Sequence, residues 1–161
     1  SSFEKIYSRI PQNERELDKH FEKMIMTLRA LRRLCADNLV KTAEGEERGF
    51  YLSHSLPQKL CEELDIFKKK LDAWLKESAD SPLFAEVERL LSEIRRFIAI
   101  EEHFDEHFLF YLEMSGNDMQ IKIYCLDPSH VLDIAQNRAV STVFFFSVPA
   151  MTTSKDTSRS S

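Results

Sequence analysis

Basic side chains stand in three short groups whose spacing could serve phosphate binding. The groups are Arg29, Arg32 and Arg33, then Lys68, Lys69 and Lys70, then Arg95 and Arg96. Cations of this kind neutralise backbone phosphates and supply most of the affinity of non-specific nucleic-acid binding. Each group lies opposite or beside the apolar stripe of its predicted helix, so a solvated helix face with nearby glutamate partners is the alternative interpretation. These residues are therefore candidate phosphate contacts.

A second pattern, His103-x-x-Glu106-His107, matches the H-x-x-E-H zinc motif. That chemistry needs both histidines on one helical face, with the glutamate beside a zinc-bound water. Here the pattern straddles a predicted change from helix to strand near residue 104, and no further acidic ligand follows downstream. An exposed polar helix end is the favoured interpretation, and a zinc hydrolase is the weakest of three functional hypotheses.

The remaining chemistry-bearing residues give no sign of a catalytic centre. Cys35, Cys61 and Cys125 are widely and irregularly spaced, without a C-x-x-C pair, so neither a metal site nor a redox pair is predicted. Cys35 and Cys61 stand among apolar residues and are expected to be free buried thiols. No G-x-x-x-x-G-K-[ST] loop or Asp-Glu-Ala-His box is present, so this chain by itself is not expected to hydrolyse ATP.

Bulk composition fits one domain, or one and a half, with a sizeable core. The chain has 161 residues, 43% of them hydrophobic, and a formal net charge of -5. That charge excludes a protein that is basic overall, so any nucleic-acid contact must come from local patches. No apolar run approaches the length of roughly 20 residues that a membrane span needs. The N-terminus lacks the layout of a signal peptide, and a cytoplasmic protein is expected.

Helical periodicity dominates the first 104 residues. In the longest stripe the apolar residues recur at steps of three and four, close to a heptad seam: Leu17, Phe21, Met24, Leu28, Leu31, Cys35 and Leu39. The predicted segments are a lead-in over 1–11, a helix over about 12–43, a loop over 43–55, a helix over 56–78 and a helix over 80–103. The pattern predicts three long helices in an antiparallel bundle. A protein–protein interaction module that uses the heptad-like face is an alternative function.

The period changes to alternation after residue 104. A β-hairpin is predicted over 105–127, with its turn near Gly116. The stretch Ile121–Ser147 then predicts a strand, a short helix and a strand. Its last run, Val140–Phe146, is typical of a strand buried on both faces, as in a parallel sheet covered by helices. Because few neighbouring strands are available, we expect this run to pair with the hairpin or to mediate self-association.

These patterns together predict an α+β fold that is mainly α. The predicted divisions are a helical region over 1–104, a β-rich region over 105–147 and a disordered Ser/Thr-rich tail over 148–161.

Two short segments carry a family resemblance. Cys125-Leu126-Asp127-Pro128 and the run Ala139–Phe145, followed by Ser147, resemble the approach to motif III of XPD/DinG-type superfamily 2 ATP-dependent DNA helicases. The match stops there, because Val148 and Pro149 stand where the family has alanine and threonine. Ser147 is therefore a motif III remnant to which no working role is assigned. A reading-frame change is one hypothesis for the abrupt end of the match.

The resemblance implies a fragment lying between helicase motifs II and III. Residues 1–104 would correspond, by position and type, to the family's Arch-like helical insertion, and 105–147 to the return into the RecA-like motor domain. The implied function is an accessory region that contacts single-stranded DNA and assists strand separation without catalysis of its own. ATP and magnesium are expected to belong to the full-length parent and not to this fragment.

Overall fold

The computed structural model describes residues 2–116, 118–125 and 141–147, and it confirms the α+β class. The helices are α1 (Ser2–Arg9), α2 (Arg15–Leu31), a 3-10 helix (Arg32–Asn38), α3 (Gln58–Glu77) and α4 (Phe84–His103). The strands are β1 (Val40–Lys41), β2 (Glu47–Ser53), β3 (Phe108–Ser115), β4 (Asp118–Cys125) and β5 (Ser141–Ser147). Helices contain more of the described residues than strands do. None of the described helices is long and apolar enough to cross a membrane.

Helix α3 lies between α2 and α4 and runs antiparallel to both. Trp74, near the end of α3, donates from Nε1 to Glu14 Oε2 at 3.1 Å, just before α2 begins. On the other side, Arg95 of α4 pairs with Asp72 of α3 at 2.9 Å. The apolar stripe of α2 faces inward, since Leu17, Phe21, Met24, Leu28 and Leu31 are all buried. The 3.6-residue period thus places the core face of this helix correctly.

An aromatic cluster joins α1 to this layer. The ring centroid of Phe21 lies 5.0 Å from that of Phe3 on α1 and 5.0 Å from that of Phe67 on α3. The contact with Phe67 is edge-to-face, an arrangement that the ring quadrupole favours. Arg9 also pairs with Glu86 of α4, so α1 is attached to three helices. This short helix owes its place to packing, because eight residues form a marginal helix in water.

The predicted C-terminal end of the helix over 12–43 is wrong. The stripe predicted one helix over 12–43, but α2 ends at Leu31 and continues as the 3-10 helix to Asn38. The period itself continues through Cys35, which is buried. The cause is tertiary: the 3-10 helix packs on β2, where Gly49 has no Cβ to keep it away. The chain then leaves for β1, and Leu39 is 44% exposed.

The five strands form one antiparallel sheet in the order β1-β2-β3-β4-β5. The sequence predicts a loop over 43–55, but β2 forms within it, over Glu47–Ser53. Strand β2 pairs with β3 so that Phe50 lies opposite Glu113 and Leu52 opposite Tyr111. Strand β3 alternates between buried and half-buried residues. Because β2 precedes residue 104 and β3 follows it, one sheet crosses the sequence boundary.

The parallel arrangement suggested for the last apolar run is also wrong. Strand β5 pairs antiparallel with β4, with Phe144 opposite Ile121. An apolar run reports burial and not the direction of the neighbouring strand, so the sequence did not distinguish the two arrangements. The run does pair with the hairpin. The predicted helix between β4 and β5 and the tail over 148–161 lie outside the described residues.

The aromatic cluster provides a first test. We expect Phe21→Ala to lower the free energy of unfolding by about 3–5 kcal/mol, because a fully buried ring leaves a cavity between α1 and α3. The control is Met26→Ala on the same helix, whose side chain is 68% exposed. Urea unfolding followed by circular dichroism measures both. Equal losses in the two variants would contradict this account of the core.

Candidate nucleic-acid interface

The first arginine group lines an open depression at the end of α2. The depression has a volume of about 450 Å³ and is lined by Met26, Arg29, Ala30, Arg32 and Arg33. Steps of three and four place these residues on one face of continuous helical chain. Arginine in the last turn of a helix also complements the negative end of the helix dipole, which explains Arg29 without a ligand. Three guanidinium groups around one concave surface nevertheless match a polyanion in charge and geometry.

Arg32 differs from its neighbours because it holds the sheet. Its Nη2 donates to the carbonyl oxygen of Gly116 at 2.9 Å, in the turn between β3 and β4. The backbone N–H of Gly116 donates in turn to the Glu47 carbonyl at 3.0 Å. Gly116 has a φ of +60°, a left-handed conformation that glycine adopts without strain. Arg32 therefore has a structural role that its sequence position did not reveal.

The lysine group does not form a single surface. Consecutive helical residues point about 100° apart, so the three side chains diverge. Lys69 pairs with Asp65 at 3.2 Å, and Lys68 is half-buried. Lys70 turns toward α2 and lines a small depression with His20 and Glu63. The structure thus separates residues that the sequence grouped together.

Two further lysines at the α2–α3 contact, Lys23 and Lys59, form ion pairs with Glu63. This carboxylate is only 5% exposed and lies 3.1 Å from Lys59 Nζ and 3.7 Å from Lys23 Nζ. A buried carboxylate needs such partners to remain charged. Arg29 lies six residues beyond Lys23, about 9 Å further along the helix. The arginine depression and the lysine region are therefore distinct places on the helical layer.

The third group sits on α4. Arg95 is engaged with Asp72, and both side chains are partly exposed. Arg96 is exposed as well. An exposed pair such as Arg95–Asp72 contributes little stability, yet it neutralises the cation locally. Of the three groups, the arginines at the end of α2 form the best defined candidate site.

The H-x-x-E-H pattern does not lie on one helical face. Helix α4 ends at His103, and Glu106 and His107 fall in the turn before β3. His107 is bound locally, since its backbone N–H donates to Asp105 Oδ1 at 2.8 Å. Across the described residues, no group of three or more His, Cys, Asp and Glu side chains is arranged to hold a metal. The local geometry does not favour a zinc hydrolase.

The thiols are placed for packing. Cys35 is buried and Cys61 is half-buried, and both are free. Burial raises the pKa of the Cys35 thiol. Burial, with a hydrogen bond to Glu101, raises the pKa of Cys61 to about 12. Such thiols are poor nucleophiles at neutral pH, because the thiolate is the reactive form.

Ser147, the motif III remnant, is the last residue of β5 and lies opposite Asp118 in the register. Comparison with protein-family models, with curated proteins and with solved structures gave no match. The helicase resemblance therefore rests on the quoted residues alone.

Sequence reasoning missed Met26, which lies in the arginine depression. Its signal was available, since it is an apolar residue that stands off the buried stripe of α2.

The hydrogen bond from Arg32 gives a second test. We expect Arg32→Ala to lower the free energy of unfolding by about 1–3 kcal/mol, because the Gly116 carbonyl loses its donor. Arg33→Ala is the matched control, since Arg33 is exposed, and it should change stability by less than about 0.5 kcal/mol. Chemical denaturation measures both. If the two variants were equally stable, Arg32 would have no role in holding the turn.

His20 gives a test by pH. Its pKa lies below the ordinary value of 6.5, first because of burial and then because of Lys70; Lys19 and Lys23 act in the same direction, and Glu16 opposes them. The unfolded chain therefore binds more protons than the folded chain between the lowered pKa and 6.5. Stability from this residue is present above 6.5 and is lost as the pH falls toward the folded pKa.

We expect His20→Gln to reduce the loss of stability just below pH 6.5. Thermal unfolding at a series of pH values between 5 and 8 measures it, with wild-type protein as the reference. An unchanged slope of stability against pH would show that His20 is not the titrating group.

Proposed function

We propose that this chain is the accessory helical region of an ATP-dependent DNA helicase, where it contacts single-stranded DNA and assists strand separation. The observation that carries the proposal is the depression lined by Arg29, Arg32 and Arg33. Phosphate contacts need cations that are grouped, and these three arginines line one depression, with Arg33 exposed and Arg29 and Arg32 half-buried. The chain performs no catalysis in this proposal. The parent motor supplies ATP and magnesium.

The helicase assignment draws on the resemblance around Cys125-Leu126-Asp127-Pro128 and Ala139–Phe145. In this proposal three long antiparallel helices form the Arch-like insertion over 1–104. The hairpin and a strand-helix-strand segment over 105–147 lead back into the motor domain. Ser147 has no working role. A cytoplasmic setting belongs to the same proposal.

The surroundings of the arginines favour a single strand over a duplex. Met26 is 68% exposed and lines the same depression as the guanidinium groups. An exposed apolar side chain can contact the face of an unstacked base, and exposing a base face costs less in a single strand than in a duplex. Cations beside an apolar contact suit a strand whose phosphates and bases are both accessible.

The alternative, a helical protein-interaction module, loses its main support. That hypothesis relied on the heptad-like stripe of α2, and the residues of the stripe from Leu17 to Cys35 are buried in the core of the protein itself. An interaction face must be accessible to its partner. The stripe is therefore covered by α1, α3 and the sheet and is not accessible to a partner.

The test is binding of a fluorescent single-stranded oligonucleotide, measured by anisotropy at several salt concentrations. We expect the double variant Arg29→Glu/Arg33→Glu to raise the Kd roughly tenfold or more and to lower the log–log salt slope by about 2. Arg32 is left in place because it holds the sheet. Duplex DNA of the same length should bind more weakly than the single strand.

The matched control is Lys5→Glu/Lys19→Glu, which changes the net charge equally at two exposed residues outside the three groups. It should leave the Kd within about twofold, allowing for long-range screening. Equal weakening in both double variants would indicate a response to net charge and would defeat the assigned site. Absence of any salt-sensitive binding by the wild-type chain would defeat the proposed function.

A further inference from the structure

Arg32 takes part in two features of the structure that are far apart in the sequence. With Arg29 and Arg33 it lines the depression at the end of α2. Its Nη2 also donates to the Gly116 carbonyl at 2.9 Å, in the turn between β3 and β4. The depression belongs to the helical layer, whereas the turn belongs to the sheet. One side chain therefore joins the candidate phosphate site to the sheet.

The Arg32 side chain is anchored at both of its ends. Arg32 follows α2 directly and begins the 3-10 helix, and its backbone N–H donates to the Arg29 carbonyl. At the other end the guanidinium is bound to Gly116, and the residue is half-buried. A side chain held in this way has already lost rotamer freedom that a phosphate contact would otherwise cost. Arg32 is therefore preorganised for a phosphate.

The guanidinium can serve the turn and a phosphate at the same time. It carries five N–H donors in a rigid planar fork, and the contact with Gly116 is made from one of its terminal nitrogens. A bidentate phosphate contact takes two parallel N–H bonds. The remaining N–H groups are sufficient for that contact, so a phosphate has no need to displace the Gly116 carbonyl.

The turn that Arg32 holds is also tied to β2. The Gly116 N–H donates to the Glu47 carbonyl at 3.0 Å, and the Ser115 hydroxyl donates to the Glu46 carboxylate. Turns at the tips of hairpins open locally more often than the core does. When this turn opens, the Gly116 amide exchanges its hydrogen with water, so the exchange rate of this amide reports the opening.

We propose that Arg32 couples occupancy of the arginine depression to closure of the β3–β4 turn, so that a bound phosphate holds Gly116 more tightly in place. A phosphate confines the guanidinium to the orientation in which it donates to the Gly116 carbonyl. The phosphate then binds the closed turn more tightly than the open turn, and that difference is the condition for coupling. The inference rests on the phosphate contacts of the proposed function and does not depend on the helicase assignment.

The coupling crosses the division between the two regions of the proposed function. There, residues 1–104 contact the single strand, and residues 105–147 lead back into the motor domain. Arg32 belongs to the first region and Gly116 to the second. Occupancy of the depression thus reaches the second region through one hydrogen bond, and the turn supplies the two states that such coupling requires.

Hydrogen exchange of the Gly116 amide, followed by NMR, tests the coupling. The probes are a single-stranded oligothymidylate and tripolyphosphate, and the second offers phosphate without bases. With either probe at saturation we expect exchange at Gly116 to slow about fivefold or more. The internal control is the Ser81 amide, which donates to the Ser78 carbonyl at 2.9 Å in the turn between α3 and α4. Its exchange should change by less than about twofold, because that turn opens independently.

Arg32→Lys separates the coupling from the charge. Lysine keeps the positive charge, but it lacks the planar fork that holds a carbonyl and a phosphate together. We expect this variant to bind tripolyphosphate while the slowing at Gly116 is lost. Arg33→Lys is the matched control: it makes the same replacement at an exposed residue of the depression, and the slowing should persist at saturation.

The two probes separate this inference from the proposed function. Slowing by tripolyphosphate without binding of the oligothymidylate supports the coupling and defeats the DNA function. Oligothymidylate binding with unchanged exchange at Gly116 keeps the DNA function and overturns the coupling. Faster exchange on binding also overturns it, because the phosphate then draws Arg32 away from the turn. Slowing that persists in Arg32→Lys, or a wild-type chain that binds neither probe, has the same consequence.

Discussion

The close packing of the 3-10 helix on β2 at Gly49 is the constraint on which the rest of this structure depends. Gly49 is buried, and a methyl group there would lie 2.9 Å from Leu39 Cδ2 and 3.1 Å from Cys35 Cβ. The missing side chain lets the two backbones approach. This contact holds the helical layer against the sheet. It also brings Arg32 within reach of the Gly116 carbonyl, at 2.9 Å.

Two surface features lie near that contact. The helical chain continues from α2 into the 3-10 helix, so Arg32 and Arg33 lie beside Arg29 around one depression. Because the 3-10 helix is followed at once by β1, this strand has room for two paired residues only. Beyond Arg48 the edge of β2 is left with a single side-chain cap, from Asn38 to Phe50. The packing contact at Gly49 thus limits β1, while helical spacing groups the arginines.

Several cations of the helical layer are paired with acids. Lys69 and Arg95 each have a carboxylate within 3.2 Å, and Lys23 and Lys59 serve the buried Glu63. Such contacts are weak for exposed pairs, but they lower the local positive potential that a phosphate would meet. Arg33 is exposed and lines the depression, and no ion pair of Arg33 is seen among the described residues. Counting basic residues in a sequence therefore overestimates the positively charged surface that is available to a polyanion.

Sequence by itself determined the α+β class, the inward face of α2 and the strand character of 108–115 and 118–125. These follow from periodicity, which is a local property of the chain. The sequence also identified every arginine of the candidate site as part of one group, since residues three and four apart on a helix are neighbours. Met26 was missed because a single residue off the stripe has no pattern of its own.

Tertiary structure alone decided where α2 ends, that β5 runs antiparallel to β4, which arginine holds the sheet and which edge of β2 stays open. Each of these depends on residues far apart in the chain, such as Cys35 with Gly49 and Arg32 with Gly116. Side-chain pattern encodes whether a residue is buried. It does not encode which distant backbone comes to lie against it, because that is set by the packing of the whole core.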